Sequence, residues 1–394
     1  MASRSPSAHL HLDSLQSLRG IAAIIVLLRH CTLTYPLSGG ITAFLCSVLL
    51  NSHAAVVTFF VLSGFVLSLS LNGRMLNINA LSGFYIKRIC RVLPLLIFVT
   101  IVSFGYTLSW YSTLTVKDAT PFFDVLMPYG PQRPAVVILS LLGLNSHYVP
   151  QNWTIMVELL VAPIFPFLFF AARASWQIFA LMFAFLAIGS FLAPLGGHFL
   201  PLVYAVDFLV GVLVFLYWSR NAGKTYRHTT LITAIAAVVM VAAQPVLSLA
   251  HVPLVNAANF HDPMLSLIEA VSAGFVIFGL AQPGRLKGWF SGRMLVRLGD
   301  LSFSLYLVHF LVLVVAARLL DRLVPGFDAL NSYAQTGILA AVVLGVSIAI
   351  AMPLYHFLEM PYNRMGRRLA FFDVSTNAKP IAAPASKVTT HINA

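Results

Sequence analysis

The sequence predicts an all-α membrane protein, a bundle of ten transmembrane helices with both termini in the cytoplasm. Three observations indicate this class. Hydrophobic residues make up 59% of the 394-residue chain and charged residues only 9%, whereas soluble domains carry about 25% charged residues. Mean hydropathy is +0.88. The third observation is a series of apolar segments close to the ~20 residues that a helix needs to cross a bilayer.

Ten segments have this length and character. They are residues 19–35, 55–71, 92–110, 153–172, 176–195, 200–218, 231–250, 264–281, 301–320 and 337–358. The apolar run 135–144 is too short to cross a bilayer, so we expect it to form an interfacial or re-entrant segment before the fourth span.

The two ends of the chain differ from the spans. Residues 1–17 are polar and lack a cleavage site of small residues, so we expect a cytoplasmic segment and a first span that stays in place as a signal anchor. Residues 18–369 then form one membrane domain. Residues 370–394 are rich in Ala, Pro, Thr and Ser, and this composition predicts a disordered cytoplasmic tail.

The distribution of lysine and arginine predicts the orientation. Of the 24 basic residues, 19 fall in the N-terminal segment, the even-numbered loops and the tail. Four fall on the opposite side, and Arg29 lies inside the first span. Because cytoplasmic loops carry the excess of positive charge, this segregation places both termini in the cytoplasm.

The composition argues against two other kinds of site. A net charge of +12 would suggest nucleic acid as the partner of a soluble protein, but here the positive-inside rule accounts for the charge. The three cysteines, Cys31, Cys46 and Cys90, have no metal-site spacing and form no disulfide framework. We therefore predict neither a nucleic-acid partner nor a metal.

Arg19 and His30 are the most informative pair in the first span. They are eleven residues apart, which is close to three turns of helix and roughly 16 Å along its axis, so both side chains share one face. An arginine at the membrane surface and an imidazole deeper on the same helix face indicate a path along which a substrate reaches the imidazole. The alternative is a membrane anchor whose His30 bonds a neighbouring helix.

Other ionisable groups also lie within predicted spans, where each costs roughly 2.5–3.5 kcal/mol and is a functional candidate. Glu158, Asp207 and Glu269 lie in the fourth, sixth and eighth spans, each in the outer half under the predicted topology. The alternative is that one or two of them neutralise Arg29 or cap backbone groups. His309, in the ninth span, is expected to be a hydrogen-bonded interior histidine rather than a second base.

Arg88 and Arg91 open the third span and, being three residues apart, share a helix face. Arginine pairs of this kind bind phosphate groups through several charge-assisted donors. The alternative is an ordinary cytoplasmic cluster of positive charge.

Six short motifs follow one another along these spans, and with them the chain resembles the acyltransferase-3 family of membrane O-acyltransferases over residues 12–369. The motifs are Leu12-Asp-Ser-Leu-Gln-Ser-Leu-Arg-Gly-Ile-Ala-Ala with Arg19 and His30, Phe59-Phe-Val-Leu-Ser-Gly-Phe65, Arg88 to Arg91 with Pro94, Trp153-Thr-Ile-Met-Val-Glu158, Ser302-Phe-Ser-Leu-Tyr-Leu-Val-His309, and Phe357-Leu-Glu-Met-Pro361. Three positions depart from the family pattern: Thr154 replaces a serine, Leu159 an acidic residue and Val308 an aromatic residue.

The resemblance implies transfer of an acyl group, often acetyl, from acyl-CoA to a sugar hydroxyl of a cell-surface or lipid-linked glycan at the bacterial inner membrane. A sugar hydroxyl is a poor nucleophile, so His30 is predicted to be its general base, with Arg19 on the same stripe. We expect Arg88 and Arg91, together with Arg19, to bind the phosphate groups of the cytoplasmic donor.

The acceptor is expected to bind from the outer side, in a cavity whose wall includes Glu158. Trp153 could stack on a sugar face there, and Ser63 and Asp207 complete the predicted acceptor residues. Reaction would take place at His30, where an inner donor channel meets this outer cavity.

The competing hypothesis is a transporter or flippase in which His30 and the three intramembrane carboxylates form a proton pathway. Such proteins have broken spans in corresponding halves. Here Pro163 and Pro166 interrupt the fourth span without a counterpart, and no internal repeat is visible. A non-catalytic sensor or scaffold would leave the Arg19–His30 spacing without a role.

Overall fold

The computed structural model describes residues 12–37, 39–124, 133–193, 200–221, 223–250 and 261–372. Within these ranges the chain is helical and has no strand, which confirms the predicted all-α class. The helices are α1 (Asp13–Thr34), α2 (Ile41–Leu49), α3 (Ser52–Leu71), α4 (Ile78–Thr107), α5 (Pro121–Asp124), α6 (Pro134–Leu141), α7 (Asn152–Val161), α8 (Phe165–Ala174), α9 (Trp176–Leu192), α10 (Leu200–Arg220), α11 (Thr229–Ala250), α12 (Pro263–Ala281), α13 (Arg285–Phe290), α14 (Arg293–Leu323), α15 (Ser332–Leu354) and α16 (Met360–Phe372).

Eight helical stretches of the described chain are long and apolar enough to cross a membrane, and α7 with α8 adds a ninth if this bent pair is one span. These nine match nine of the predicted segments. The remaining segment, 176–195, corresponds to α9, which is apolar but shorter, and residues 194–199 lie outside the described part of the chain. The total of ten spans and the cytoplasmic position of the termini therefore stay predictions, and most of the predicted N-terminal segment and tail lie outside the described residues.

The fourth predicted span is bent by 55° between α7 and α8. Pro163 and Pro166 explain the bend, because proline lacks the backbone N–H that would bond the carbonyl four residues earlier. The carbonyl of Pro163 accepts a hydrogen bond from the Tyr85 hydroxyl of α4 at 2.7 Å. The break follows directly after the turn of α7 that carries Glu158, and Arg88 of α4 donates to the main-chain carbonyl of Glu158 in this turn.

Helices α1 and α14 approach each other at two glycines. A Cβ atom on Gly20 would lie 2.7 Å from the backbone nitrogen of Gly299, and one on Gly299 would lie 2.0 Å from the carbonyl oxygen of Gln16. Small residues at such a crossing allow backbones in a membrane to pack closely. Gln16 Nε2 also donates to Asp300 Oδ1 at 3.0 Å. This crossing sets the distance between the side chains that α1 and α14 direct towards each other.

A second close crossing joins α3 and α10. A Cβ atom on Gly64 would lie 2.2 Å from the carbonyl oxygen of Phe208, and one on Gly211 would lie 2.1 Å from that of Val61. Gly64 is the central residue of the Ser-Gly-Phe motif. The motif therefore has a packing role at Gly64, while its serine, Ser63, faces a cavity on the other side of α3.

Candidate active site

A cavity of about 360 Å³ lies between α1, α3, α4, α7, α14 and α16, and its lining is rich in positive charge. The cations come from three helices: Arg19 of α1, Lys87, Arg88 and Arg91 of α4, and Arg367 of α16. The three arginines predicted for the donor thus line one cavity, although the first lies 69 residues before the next in the sequence. Concave sites lined by one sign of charge attract ligands of the opposite sign.

Glu158 lies among these cations. Arg88 Nη2 donates to Glu158 Oε2 at 3.0 Å and to the main-chain carbonyl of Glu158 at 3.1 Å, and Ser63 Oγ donates to Oε1 at 2.8 Å. The structure places Glu158 in the arginine cavity rather than in a separate outer cavity. Its ion-pair partner is Arg88 rather than Arg29. The position of Glu158 along its span did not predict this contact, because it does not specify which neighbouring helix the carboxylate meets.

Tyr306 of α14 also lines the cavity. Its hydroxyl lies 3.0 Å from the hydroxyl of Thr154, and its ring packs edge-on against Phe59 with 5.8 Å between centroids. Gln151 Nε2 donates to the main-chain carbonyl of Tyr306 at 3.1 Å. The side chain of Tyr306 is therefore held against α3 and α7. Thr154 keeps a hydroxyl at the position where the family pattern has a serine.

His30 does not line this cavity but forms a pair with His309. His30 Nδ1 lies 3.1 Å from His309 Nε2, and the two ring planes are only 13° apart with centroids separated by 5.2 Å. Phe310 and Phe122 pack on the ring of His30 at 4.3 and 5.8 Å. His309 is 1% exposed, and its Nδ1 lies 2.6 Å from the main-chain carbonyl oxygen of Tyr306.

The histidine pair and the cavity meet at one turn of α14. Tyr306 lines the cavity with its side chain, and its carbonyl accepts the hydrogen bond from His309 three residues later. His309 is buried and hydrogen-bonded, as expected, but its partner is the predicted base itself. The sequence signal for this partnership was the Ser-Phe-Ser-Leu-Tyr-Leu-Val-His motif, which brings a tyrosine and a histidine to adjacent turns.

Two of the residues predicted for the acceptor, Trp153 and Asp207, lie apart from the cavity. Trp153 is half-buried and packs on Tyr204 at 5.5 Å and edge-on against His261 at 5.1 Å between ring centroids. Asp207 of α10 is fully buried, and its Oδ2 accepts a hydrogen bond from Ser266 at 3.0 Å.

Glu269 of α12 has a similar setting to Asp207. Its Oε1 accepts a hydrogen bond from Asn51 Nδ2 at 2.9 Å, and its Oε2 contacts Nδ1 of His53. All three side chains are buried. The partners of Asp207 and Glu269 are thus neutral or titratable groups on α12, on α3 and at the N-cap of α3, rather than Arg29.

Comparison with known proteins identifies the chain. A family model described as an acyltransferase domain matches residues 12–356. The chain belongs to the acyltransferase-3 family. It is 26% identical over 414 residues to acyltransferase MdmB of Streptomyces mycarofaciens, covering 98% of this chain and 99% of that protein. It is 27% identical over 332 residues to nodulation protein 10 of Rhizobium leguminosarum bv. viciae, covering 77% and 83% of the two chains. No solved structure matches.

The acyltransferase-3 motifs of this chain come together in the fold. Arg19, Ser63, Arg88, Arg91, Glu158 and Tyr306 come from five different motifs and line one cavity. The motif at the end of the tenth predicted span contacts the motif of the ninth span, because Glu359 Oε2 accepts a hydrogen bond from Ser304 at 2.9 Å. Membership of this family, together with the apolar helices, makes the protein a multi-pass membrane acyltransferase. It favours an enzyme over the transporter considered above.

Proposed function

We propose that this acyltransferase takes an acyl group, in the first instance acetyl, from acyl-CoA on the cytoplasmic side and transfers it to a hydroxyl of a carbohydrate. The acceptor is a cell-surface or lipid-linked glycan, and the enzyme works in the bacterial inner membrane with both termini in the cytoplasm. The observation that carries this proposal is the cation-lined cavity next to the His30–His309 pair.

The cavity supports acyl-CoA as the donor because coenzyme A carries three phosphate groups. Guanidinium groups bind phosphate through two parallel charge-assisted hydrogen bonds, so three arginines suit such a ligand better than lysines would. The guanidinium group of Arg88 is already held by the carbonyl of Glu158 at 3.1 Å. A side chain that is fixed before binding loses less conformational freedom when the ligand binds.

The proposed reaction is direct transfer. The acceptor hydroxyl oxygen attacks the thioester carbonyl carbon, a C–O bond forms and the C–S bond breaks. His30 takes the hydroxyl proton as general base and returns it to the departing CoA sulfur, so no proton is gained or lost overall. A positioned base of this kind contributes roughly 10²–10⁴-fold to the rate. Arg19 lies on the same face of α1 as His30 and, in the cavity, binds the phosphate groups of acyl-CoA.

For the acceptor we place Ser63 and Glu158 in contact with sugar hydroxyls, since both line the cavity and offer hydrogen-bonding oxygens. Trp153 lies on the same helix as Glu158 and presents a half-buried ring that can stack on a sugar face. Asp207 is the least accessible of the four, because it is fully buried beside Ser266, and its role stays a prediction.

The test uses purified protein in detergent with radiolabelled acetyl-CoA. We expect slow release of acetate without an acceptor and transfer of label to glycan when membrane glycans are added. His30→Ala should abolish both while the protein still elutes as a folded species. Arg293→Ala is the matched control, because Arg293 is exposed and does not line the cavity.

Two results would contradict this proposal. Wild-type rates in His30→Ala would show that His30 is not the general base. Absence of any acetyl-CoA turnover by the wild-type protein would show that acetyl-CoA is not the donor. Mass spectrometry of surface glycans from cells with and without the protein identifies the acceptor, and unchanged glycan acylation would exclude a glycan as its substrate.

A further inference from the structure

We infer that His309 is a positioning residue that fixes the tautomer of His30, so that Nε2 of His30 is the atom that takes the proton of the acceptor. The inference rests on the proposed function and extends it to a side chain for which the sequence predicted only a structural role. It is carried by two hydrogen bonds in series, from His30 to His309 and from His309 to a backbone carbonyl.

The tautomer of His309 follows from its carbonyl partner. Nδ1 of His309 lies 2.6 Å from the main-chain oxygen of Tyr306, and a carbonyl oxygen can only accept a hydrogen bond. Nδ1 therefore carries the hydrogen, since the other tautomer would set two lone pairs against each other at this distance. In a neutral imidazole the second nitrogen is an acceptor, so Nε2 of His309 presents a lone pair.

The tautomer of His30 follows in turn. Nε2 of His309 lies 3.1 Å from Nδ1 of His30, so Nδ1 of His30 carries a hydrogen and donates it to this bond. The lone pair of His30 is then on Nε2, where a general base must have it. Without an acceptor at this place, the ring of His30 would divide its population between two tautomers, and one of them has no base at Nε2.

The surrounding packing keeps this arrangement in register. Phe310 and Phe122 pack on the ring of His30 and restrict its rotation. The two histidines belong to α1 and α14, whose separation is set by the contact between Gly20 and Gly299. His309 is almost fully buried, so water does not compete for its Nε2.

His309 does not pass the proton on. Beyond it lies the carbonyl of Tyr306, which does not take up a proton near neutral pH. When Nε2 of His30 takes the proton of the sugar hydroxyl, the resulting imidazolium still donates a hydrogen bond from Nδ1 to His309. This hydrogen bond then becomes charge-assisted and stronger. In a Ser-His-Asp triad the carboxylate holds the tautomer of the histidine and stabilises its imidazolium form. The neutral ring of His309 has the same two effects on His30.

Three substitutions of His309 separate the two hydrogen bonds. His309→Gln can place an amide oxygen near the position of Nε2 and still accept from His30. His309→Asn keeps a donor near the position of Nδ1, towards Tyr306, but has no acceptor that reaches His30. His309→Phe fills the space and removes both. Steady-state kinetics of acetyl transfer are measured for each purified variant, with thermal midpoints as the folding control.

We expect kcat to fall about 10- to 100-fold in His309→Asn and His309→Phe, the range for losing a hydrogen bond to a charged group. The KM for acetyl-CoA should stay within about twofold, because His309 does not line the donor cavity. His309→Gln should recover most of this loss. Should His309→Phe fail to fold, the comparison of His309→Asn with His309→Gln carries the same test.

The outcome is distinguishable from failure of the proposed function. If His30→Ala is inactive while His309→Asn and His309→Phe are folded and as fast as wild type, His30 is the base without help from His309 and the inference is overturned. If His30→Ala is fully active, the proposed base itself is wrong. Equal loss in all three variants, including His309→Gln, with lowered thermal midpoints, would assign His309 a structural role only and would also overturn the inference.

Discussion

Arg88 of α4 and Glu158 of α7 form an ion pair, with 3.0 Å between Nη2 and Oε2, inside a cavity whose other charged side chains are all positive. The side chains are 10% and 24% exposed, so water screens the pair only in part. The carboxylate offsets one cation and occupies an arginine that is proposed to bind phosphate. This relationship makes Glu158 the most informative position in the cavity for a charge substitution.

Glu158→Gln should bind the donor more tightly. It removes the one carboxylate from the cavity lining, while the amide oxygen can still accept from Arg88 and the bond from Arg88 to the main-chain carbonyl remains. We expect the KM for acetyl-CoA to fall by about two- to fivefold at low salt and to approach the wild-type value in high salt, because salt screens the added potential. If Glu158 also binds the acceptor, transfer to glycan falls while acetyl-CoA hydrolysis persists. Equal loss of hydrolysis and transfer, with a lower thermal midpoint, would show that the carboxylate is structural.

Arg88→Ala and Arg91→Ala should each weaken donor binding by about 1.5–3 kcal/mol, the value of a hydrogen bond to a charged group. Lysine should restore little of this, since it lacks the planar fork of donors. The measurement is the KM for acetyl-CoA, and Arg293→Ala is the control for loss of a basic residue outside the cavity. An unchanged KM in both alanine variants would mean that the two arginines do not bind the donor and only contribute to the positive charge of the cytoplasmic side.

Arg88→Ala has a second consequence, because it leaves the carboxylate of Glu158 without its ion-pair partner. Removing one member of a partly buried pair destabilises the fold as well as the site. The double variant Arg88→Ala/Glu158→Gln removes this complication. We expect it to recover thermal stability but not donor affinity. Recovery of both would mean that Arg88 acts on the donor only by neutralising Glu158.

Gly299→Ala should lower both stability and activity. The new Cβ would lie 2.0 Å from the carbonyl oxygen of Gln16, so α1 and α14 must move apart, and overpacking of this kind costs about 1–3 kcal/mol. The same movement would stretch the bond between His30 and His309. Gly345→Ala in α15 is the matched control, because a Cβ there meets nothing within 4 Å, and it should be neutral or slightly stabilising. A wild-type thermal midpoint for Gly299→Ala would refute the claim that this crossing is tight.

The topology can be tested at a surface ion pair. Lys117 Nζ lies 2.6 Å from Asp328 Oδ2, so the loops that follow α4 and α14 lie at the same end of the bundle. With the three native cysteines removed, cysteines at 117 and 328 should react with a membrane-impermeant maleimide from outside intact cells, whereas one at 224 should not. Labelling of all three positions, or of 224 alone, would contradict the predicted orientation.

Much of the fold could be predicted from the sequence because the bilayer imposes a simple rule. Spans must be about 20 apolar residues long and helical, since no water is present to satisfy backbone groups. Nine of the predicted segments correspond to such helices, and the α9 segment is shorter. The eleven-residue spacing that sets Arg19 and His30 on one stripe likewise needs only the pitch of a helix.

Contacts between helices could not be predicted in the same way. The bond between His30 and His309 joins residues 279 positions apart, and it depends on how closely α1 and α14 cross at Gly20 and Gly299. Helical periodicity assigns a residue to a face of its own helix but does not specify which neighbour that face meets.

The position of Glu158 shows the same limit. Counting residues from Trp153 places it in the outer half of its span, but the count does not specify that Arg88 of α4 lies beside it. The sequence alone determined the membrane class, the helices and the chemical groups available for catalysis. The tertiary structure decided which of those groups share a cavity and which nitrogen of His30 meets His309, because these contacts depend on helix crossings that local sequence does not specify.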